Sequence, residues 1–453
     1  MADTARHDHT SRQLRMLSQA LDSGRLGPVR RLVNTLSPAE IGHLLESLPP
    51  GKREVVWGLV DAEDDGEVLL HVGDEVREAL IADMDPDELV AAVGDLDIDD
   101  LADLVEDLPD QVIDEVLKSM DRENRERLEQ VLSYPEDSAG RLMNPDVVTV
   151  RADVSVDVVL RYLRLRGELP EHTDHLYVVS RRHQYLGRVS LAALLTHEPG
   201  MPINELIDDE QPAIPVEMSA DQVANQFSDR DWLSAPVVDG NNILLGRITI
   251  DDVVDIIRDQ ADHQTLASAG LDEEEDLFSP VPRAARRRAL WLGINLATAF
   301  LASWVIGLFQ ATLEQVVALA VLMPIVASMG GIAGTQTLTL MVRGLALGQV
   351  GFGNMRALLT KEMLVGALNG LVWAVVVGSL AALWFSDLRI GLVIAAAMSI
   401  NLMVAALAGV AIPLLLRRLA IDPALAGGVV LTTVTDVIGF LAFLGLGTAL
   451  LLS

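Results

Sequence analysis

Residues 425–452 read LAGGVVLTTVTDVIGFLAFLGLGTALLL, an apolar run long enough to cross a bilayer, with one carboxylate, Asp436, about midway. A charge at that depth costs at least ~2.5–3.5 kcal/mol even on the generous insertion scale, so it is rarely there without a function. Its neighbours Thr432, Thr433, Thr435 and Gly439 are small or hydroxylic, which suits close helix packing or a water-filled path. Two readings stand: a protonated Asp hydrogen-bonded to threonines, or a ligand for a cation. No Lys or Arg lies at comparable depth in any apolar run of the chain, which favours the cation.

Four further runs precede this one, at 289–309, 316–342, 363–385 and 390–416, and the fifth spans 424–452. Arg286, Arg287 and Arg288 precede the first. Arg343, Arg356 and Lys361 lie between the second and third, and Arg417 and Arg418 follow the fourth. The positive-inside rule then predicts a cytoplasmic N-terminus and an external C-terminus. An odd number of spans argues against an internal inverted repeat, and a homodimer is a natural way to enclose a pore.

The second run is irregular. Pro324 is followed by Ser328-Met329-Gly330-Gly331-Ile332-Ala333-Gly334-Thr335-Gln336-Thr337, a poor sequence for an ordinary lipid-facing helix. Gly330 and Gly334 form a small-xxx-small pair, so helix packing is one reading. The polar Thr335, Gln336, Thr337 and Thr339 predict instead a broken, pore-lining segment carrying Pro324, Gly330, Gly331, Gly334, Thr335 and Gln336, and Thr432 of the fifth run is also expected to line a pore.

Charge partitions sharply along the chain. The net charge is −31 and cysteine is absent, yet residues 283–453 hold only five acids against ten Lys and Arg. The other 60 acids and 24 basic residues belong to residues 1–282. So acidic a surface repels phosphate and concentrates cations, which excludes a basic-patch account of nucleic-acid binding. The opening MADTARHDHTSRQLRML has no signal-peptide core, so the acidic half is expected to be cytoplasmic.

Residues 10–130 read as short helices with capped starts. Ser37-Pro38-Ala39-Glu40 and Asp85-Pro86-Asp87-Glu88 each supply a cap, a proline in the first turn and an acid three residues on. Apolar residues then recur at helical spacing, as in Leu101, Leu104, Val105 and Leu108. The acids crowd between Asp83 and Asp114. Asp99 and Asp103 are four apart and share a helix face, where like charges repel unless solvent or a cation intervenes.

From about 141 to 260 the pattern becomes short β-branched strands alternating with helices, in two copies about 65 residues apart. Val147-Val148-Thr149-Val150, Leu176-Tyr177-Val178-Val179 and Gly187-Arg188-Val189-Ser190 correspond to Ala213-Ile214-Pro215-Val216, Ala235-Pro236-Val237-Val238 and Gly246-Arg247-Ile248-Thr249. The pair resembles cystathionine-β-synthase-type (CBS) domains. That resemblance implies an adenosine-nucleotide site, ATP or another adenine nucleotide, at Thr249 and Asp252; the first copy has Ser190 but Ala193 in place of the Asp. His172 and His175 lack further ligands nearby and are read as loop residues. Walker A, nucleophile-elbow and HExxH sequences are absent, and nothing calls for an enzyme.

The whole order is a multidomain membrane protein: an acidic α-helical superhelical N-domain (1–132), tandem α/β CBS domains (133–200 and 201–260), a plug or connecting helix (261–283) and a five-helix transmembrane domain (284–453). Layout and motifs resemble the MgtE family of magnesium channels. The residues carrying this are Tyr134 to Gly140, Pro324 to Gln336, Lys361-Glu362-Met363, Asp422-Pro423-Ala424-Leu425 and Thr435-Asp436-Val437-Ile438-Gly439.

The resemblance implies a homodimer in the inner cell membrane, with a pore lined by the second and fifth spans and Asp436 binding hydrated Mg²⁺. It also implies closure by cytoplasmic Mg²⁺ bridging Asp99, Asp103, Asp221, Asp231, Asp252, Asp255 and Asp422. Two departures stand out. Ile332 replaces a common Asn, and Gln260, His263 and Gln264 stand where acids are frequent, which predicts weaker or fewer regulatory ions. Rival readings are a proton-coupled or exchange-type divalent-cation transporter and a membrane-anchored nucleotide or metal sensor.

Overall fold

The protein is described by a computed structural model covering residues 17, 19–23, 26–94, 96–105, 107–271, 276–351 and 353–452. Residues 1–16 of the expected N-domain and 272–275 of the expected connecting segment lie outside these described residues. Two compact units emerge. One extends to Ala261 and includes a short segment ending at Ser279; the other holds Asp262–Glu273 and Pro280–Ser453.

The first unit opens with short helices from Leu26–Val33 to Arg122–Leu132. Their starts follow local chemistry. Ser37 accepts from the Glu40 backbone N–H at 3.4 Å while its own N–H donates to Glu40 Oε2 at 3.0 Å, closing a capping box before Pro38–Glu46. Helices pack on the element two places along: Pro38–Glu46 on Asp65–Leu70, that helix on Pro86–Val93, and the latter on Asp110–Ser119. This alternate stacking produces the superhelix. Its apolar core runs without a break from Leu17 into the second CBS unit, ending at Val253.

Each CBS unit has a three-stranded sheet. In the first, β1 (Thr149–Arg151) runs parallel to β2 (His175–Val179), which is antiparallel to β3 (Tyr185–Ser190). In the second, β4 (Ile214–Pro215), β5 (Ser234–Val238) and β6 (Leu244–Thr249) repeat that order and those senses. The segment leading into each unit crosses to the other. Asn144 pairs with Arg247 on β6, and Asp208 pairs with Arg188 on β3. The two Gly-Arg strands therefore occupy equivalent places in a pseudo-twofold pair.

The expected connecting helix is not a separate element at its start. Helix Ile250–Ala267 begins directly after β6 and passes the expected boundary at 260 without interruption. Thr249 and Asp252 cap it, and no Pro or Gly occurs before Gly270, so nothing ends it earlier.

After residues 268–271 the chain is next described at Asp276, which is fastened to the helical domain. Arg53 and Asp276 form an ion pair at 2.7 Å with side chains only 4% and 7% exposed. Arg53 Nε also donates to Leu45 O at 3.0 Å, and Glu75 accepts from the Asp276 N–H and the Ser279 hydroxyl. Removing one partner of so buried a pair costs about 3–5 kcal/mol. Arg53→Ala is therefore expected to lower the thermal midpoint of the cytosolic transition and to open the chain around Asp276 to protease. Unchanged protection there would contradict the fastening.

Among the described residues the second unit contains five helices long and apolar enough to span a membrane: Val281–Gly307, Val317–Ala346, Met355–Phe385, Leu388–Arg418 and Pro423–Leu451. A short helix, Gln310–Gln315, links the first two. The fourth span is central and packs against the second, third and fifth. Small residues bring it close to the third: a methyl added at Gly366 would meet Ala406 Cβ at 2.8 Å, and one at Gly378 would meet Gly391 O at 2.9 Å.

The second span is a correction to the sequence reading. It is one continuous helix of 30 residues, with Pro324 inside it, rather than a broken segment. Pro324 lies past the first turn and forfeits the bond its N–H would make to the Ala320 carbonyl, yet the helix continues on both sides of it. The glycines are held in helix by neighbours that fill the space beside them, as described next.

Candidate ion pathway and regulatory acids

Asp436 sits on the fifth span, half-buried, beside Thr435, whose hydroxyl is turned back onto its own helix at Leu431 O and Thr432 O, both 3.1 Å. Asp436 and Thr432 form one side of an open hollow of about 540 Å³. Ala327, Ser328, Gly331, Ile332, Thr335 and Gln336 of the second span form the other. Thr335 and Thr432 bond their own helices, at Gly331 O and Gly428 O, and so present smooth walls with polar edges. Such a groove offers one carboxylate, a side-chain amide and hydroxyls to a hydrated cation. Mg²⁺ sheds water reluctantly and suits a site of one or two carboxylates acting through its hydration shell.

The expected lining residues divide by helix face. Gly331, Thr335, Gln336 and Thr432 line the hollow with Asp436. Gly330 and Gly334 are buried behind it, where a methyl would meet Asn401 Nδ2 at 2.2 Å and Leu431 Cδ1 at 2.9 Å. Pro324 is exposed and lies outside the hollow. The two buried glycines thus serve helix packing. Ile332 is 56% exposed and contributes an apolar wall.

In the first unit, helix Ile98–Val105 brings acids against the start of the CBS pair. Asn144 Nδ2 donates to Asp97 Oδ2 and Asp99 Oδ1, each at 3.1 Å, so both carboxylates converge on one amide. Asp252 lies on the same side, its Oδ2 accepting from Thr249 N–H at 3.3 Å and Thr249 Oγ1 at 3.2 Å. Burial, then the charges of Asp252, Asp100 and Asp97, pushes the Asp99 carboxyl up to about 9. Burial, then Asp251, pushes Asp252 up to about 8; burial, then Asp97 and Asp103, pushes Asp100 up to about 7. This cluster lacks enough positive charge and would be relieved by protons or a cation. Sequence spacing singled out Asp99 and Asp103, but Asp97 and Asp100 join them because the helix end meets Asn144 and the Asp251–Asp252 turn.

The other expected regulatory acids are dispersed. Asp221 accepts from Gln260 Nε2. Asp422 caps the fifth span through Ala424 N–H and Leu425 N–H at 2.9 and 3.1 Å, and its Oδ2 lies 3.2 Å from His263 Nε2. Asp231 is exposed in a left-handed turn at φ 52°, and Asp255 is exposed on helix Ile250–Ala267. Gln260 and His263 therefore contact two of these acids directly. Among the described residues no group of three or more His, Asp or Glu is gathered as a metal site. Mg²⁺ does not require one, since it commonly keeps most of its waters. His172 is an exposed turn residue at φ 53°, 3.4 Å from Asp251, but His175 is not in a loop: it opens β2 and lies 2.8 Å from Asp174.

Comparison with known proteins bears on the same residues. Residues 323–446 match a family described as a divalent cation transporter, 36–137 the MgtE intracellular N domain, and 139–200 and 203–259 CBS domains. A magnesium transporter MgtE from Thermus thermophilus is 30% identical over 441 residues, covering 96% of this chain and 98% of that protein. The chain belongs to the MgtE family of magnesium transporters. The MgtE of Bacillus subtilis is 28% identical over 431 residues, covering 95% of each chain. A crystal structure of the cytosolic domain of the Mg²⁺ channel MgtE in complex with ATP is 29% identical, covers 53% of this chain and 98% of that one, and has a TM-score of 0.48. With five apolar helices, this MgtE-family chain is a multi-pass membrane protein carrying a helical N-domain and a CBS pair.

Proposed function

We propose that the protein is a homodimeric channel that admits hydrated Mg²⁺ to the cytoplasm through the Asp436 hollow and closes when cytoplasmic Mg²⁺ is abundant. The observation that carries this reading is the hollow itself. A charged residue at mid-span shares an open groove with Thr335, Gln336 and Thr432, and one chain supplies only part of its wall. A second copy related by a twofold axis would complete the enclosure and place a second Asp436 across the path. Basic residues at 286–288, 343, 356, 361, 417 and 418 favour a cytoplasmic N-terminus in the inner membrane, with an external C-terminus.

Closure follows from the acidic cluster. Mg²⁺ near Asp97, Asp99, Asp100 and Asp252 offsets their repulsion and holds the helical domain against the CBS pair. Low Mg²⁺ restores the repulsion. Asp103, Asp221, Asp231, Asp255 and Asp422 complete the proposed regulatory set. Direct contacts from Gln260 to Asp221 and from His263 to Asp422 leave fewer positions that need an ion. Thr249 and Asp252 are the proposed contacts of an adenine nucleotide in the second CBS unit. Ser190, the counterpart of Thr249, caps its own helix through the Ala193 N–H at 3.0 Å and has no carboxylate partner.

Purified protein in planar bilayers distinguishes a channel from a proton-coupled transporter. A Mg²⁺ current is expected at equal pH on both sides, reversing at the Mg²⁺ equilibrium potential. A current that appears only with a pH gradient would instead establish coupling through Asp436.

A further inference from the structure

The hollow explains the front of the second span but leaves two buried polar contacts on its back. Asn401 of the fourth span is 1% exposed and donates from Nδ2 to Val326 O at 2.9 Å. It fits only because Gly330 and Gly439 lack side chains, since a methyl on either would lie 2.2 or 2.7 Å from Nδ2. Its Oδ1 is buried and has no hydrogen-bond partner among the described residues. Eleven residues on, Thr337 donates to Glu362 Oε2 of the third span at 3.1 Å, and the other Glu362 oxygen takes the Lys361 ammonium at 2.6 Å. Glu362 is 4% exposed. Gly409 of the fourth span closes against the Thr337 side chain.

Eleven residues make three helical turns with about 20° left over, so both contacts fall on one stripe of the second span. On the same wheel Ser328 and Thr335 lie about 170° away, facing the hollow. We propose that Asn401 and Glu362 are positioning residues that lock the second span against rotation about its own axis, and so keep Thr335 and Gln336 turned to the ion. Close packing at Gly330 and Gly334 sets which face turns inward, and the polar contacts add to the cost of rotation because no water replaces a hydrogen bond broken there. Two such contacts three turns apart resist both rotation and tilt. Asn401 also touches Gly439, three residues beyond Asp436, and so spaces the two lining helices with one amide.

This inference rests on the hollow being the ion path, and its test separates the two. The chain has no cysteine, so single thiols can be introduced without background. A Thr335→Cys thiol is expected to react rapidly with a charged, impermeant thiol reagent, and an Ala333→Cys thiol on the clamped side slowly. Asn401→Leu and Thr337→Val, which keep volume but lose a hydrogen bond, are expected to change that rate ratio more than twofold, about threefold being the scale of one interhelical hydrogen bond. Thr337→Ser and Glu362→Gln keep donor and acceptor and should preserve it. Each variant is measured on protein that elutes at the native size. A ratio unchanged within about twofold in both Asn401→Leu and Thr337→Val would overturn the lock, since one hydrogen bond predicts more. The ion-path reading is judged separately, by transport in Asp436 variants.

Discussion

Asp436→Ala and Asp436→Asn are both expected to reduce Mg²⁺ uptake to background in proteoliposomes, while Asp436→Glu retains a fraction of it. The reason is charge. At an effective dielectric constant near ~20, a carboxylate about 5 Å from a divalent ion attracts it by roughly 6–7 kcal/mol before hydration is considered. Even a third of that, about 2 kcal/mol, changes occupancy on the order of 30-fold, because each 1.4 kcal/mol is tenfold. Asparagine keeps the shape and removes the charge, so it separates electrostatics from packing. The open hollow and half-buried position mean that neither change leaves a large internal cavity. Fluorescent Mg²⁺ indicators in the liposome lumen give the measurement directly. Undiminished uptake by both neutral variants, in protein of normal stability, would sink the assignment of Asp436 to the ion path.

The second large effect concerns the acids at 97, 99, 100 and 252. Their carboxyls bind protons more tightly in the folded protein than in an unfolded chain. Folding of this region is therefore most favoured below the unfolded value of about 4, and stability declines as pH rises towards the folded values of about 9, 7 and 8 for Asp99, Asp100 and Asp252, with Asp97 raised in the same sense by burial. Asp99, Asp100 and Asp252 each contribute up to about 1.4 kcal/mol per pH unit within that window. In EDTA, the linker at 131–141 is expected to be protected from protease at pH 6 and cut readily at pH 8.5. Millimolar Mg²⁺ at pH 8.5 should restore protection, as should Asp99→Asn combined with Asp252→Asn without Mg²⁺. The connecting stretch at 261–283 should follow the same pattern. If Mg²⁺ protects neither stretch at any millimolar concentration, closure by these acids is wrong.

Much of the architecture was legible because it rests on local chemistry. The capping box at Ser37, the duplicated Gly-Arg strands and five runs of about 20 or more apolar residues each act within a short window. Asp436 stood out because a lone carboxylate in an apolar run has few readings. Non-local features were less legible. Asn401 occupies an apolar run much as an incidental polar residue would, and only the fold shows Gly330 and Gly439 making room for it. Glu362 was visible as part of a motif, but its partner Thr337 comes from another helix. The same holds for Arg53 and Asp276, which are 223 residues apart. The continuity of the second span was misjudged because Pro324 and three glycines are helix breakers in water, whereas here their neighbours supply the packing that propensity lacks.

The crossed leaders of the CBS pair carry a mechanical consequence. Asn144 and Arg247 exchange two backbone hydrogen bonds at 2.8 and 2.9 Å, and Arg188 and Asp208 exchange two more at 2.9 and 2.8 Å. These joints run in opposite directions across the seam, like a dovetail. Prising the halves apart must load all four together, whereas a shared load has no weakest bond to fail first. The pair therefore resists separation more than either joint would alone, and strain imposed on one half is shared with the other through the segments that cross the seam.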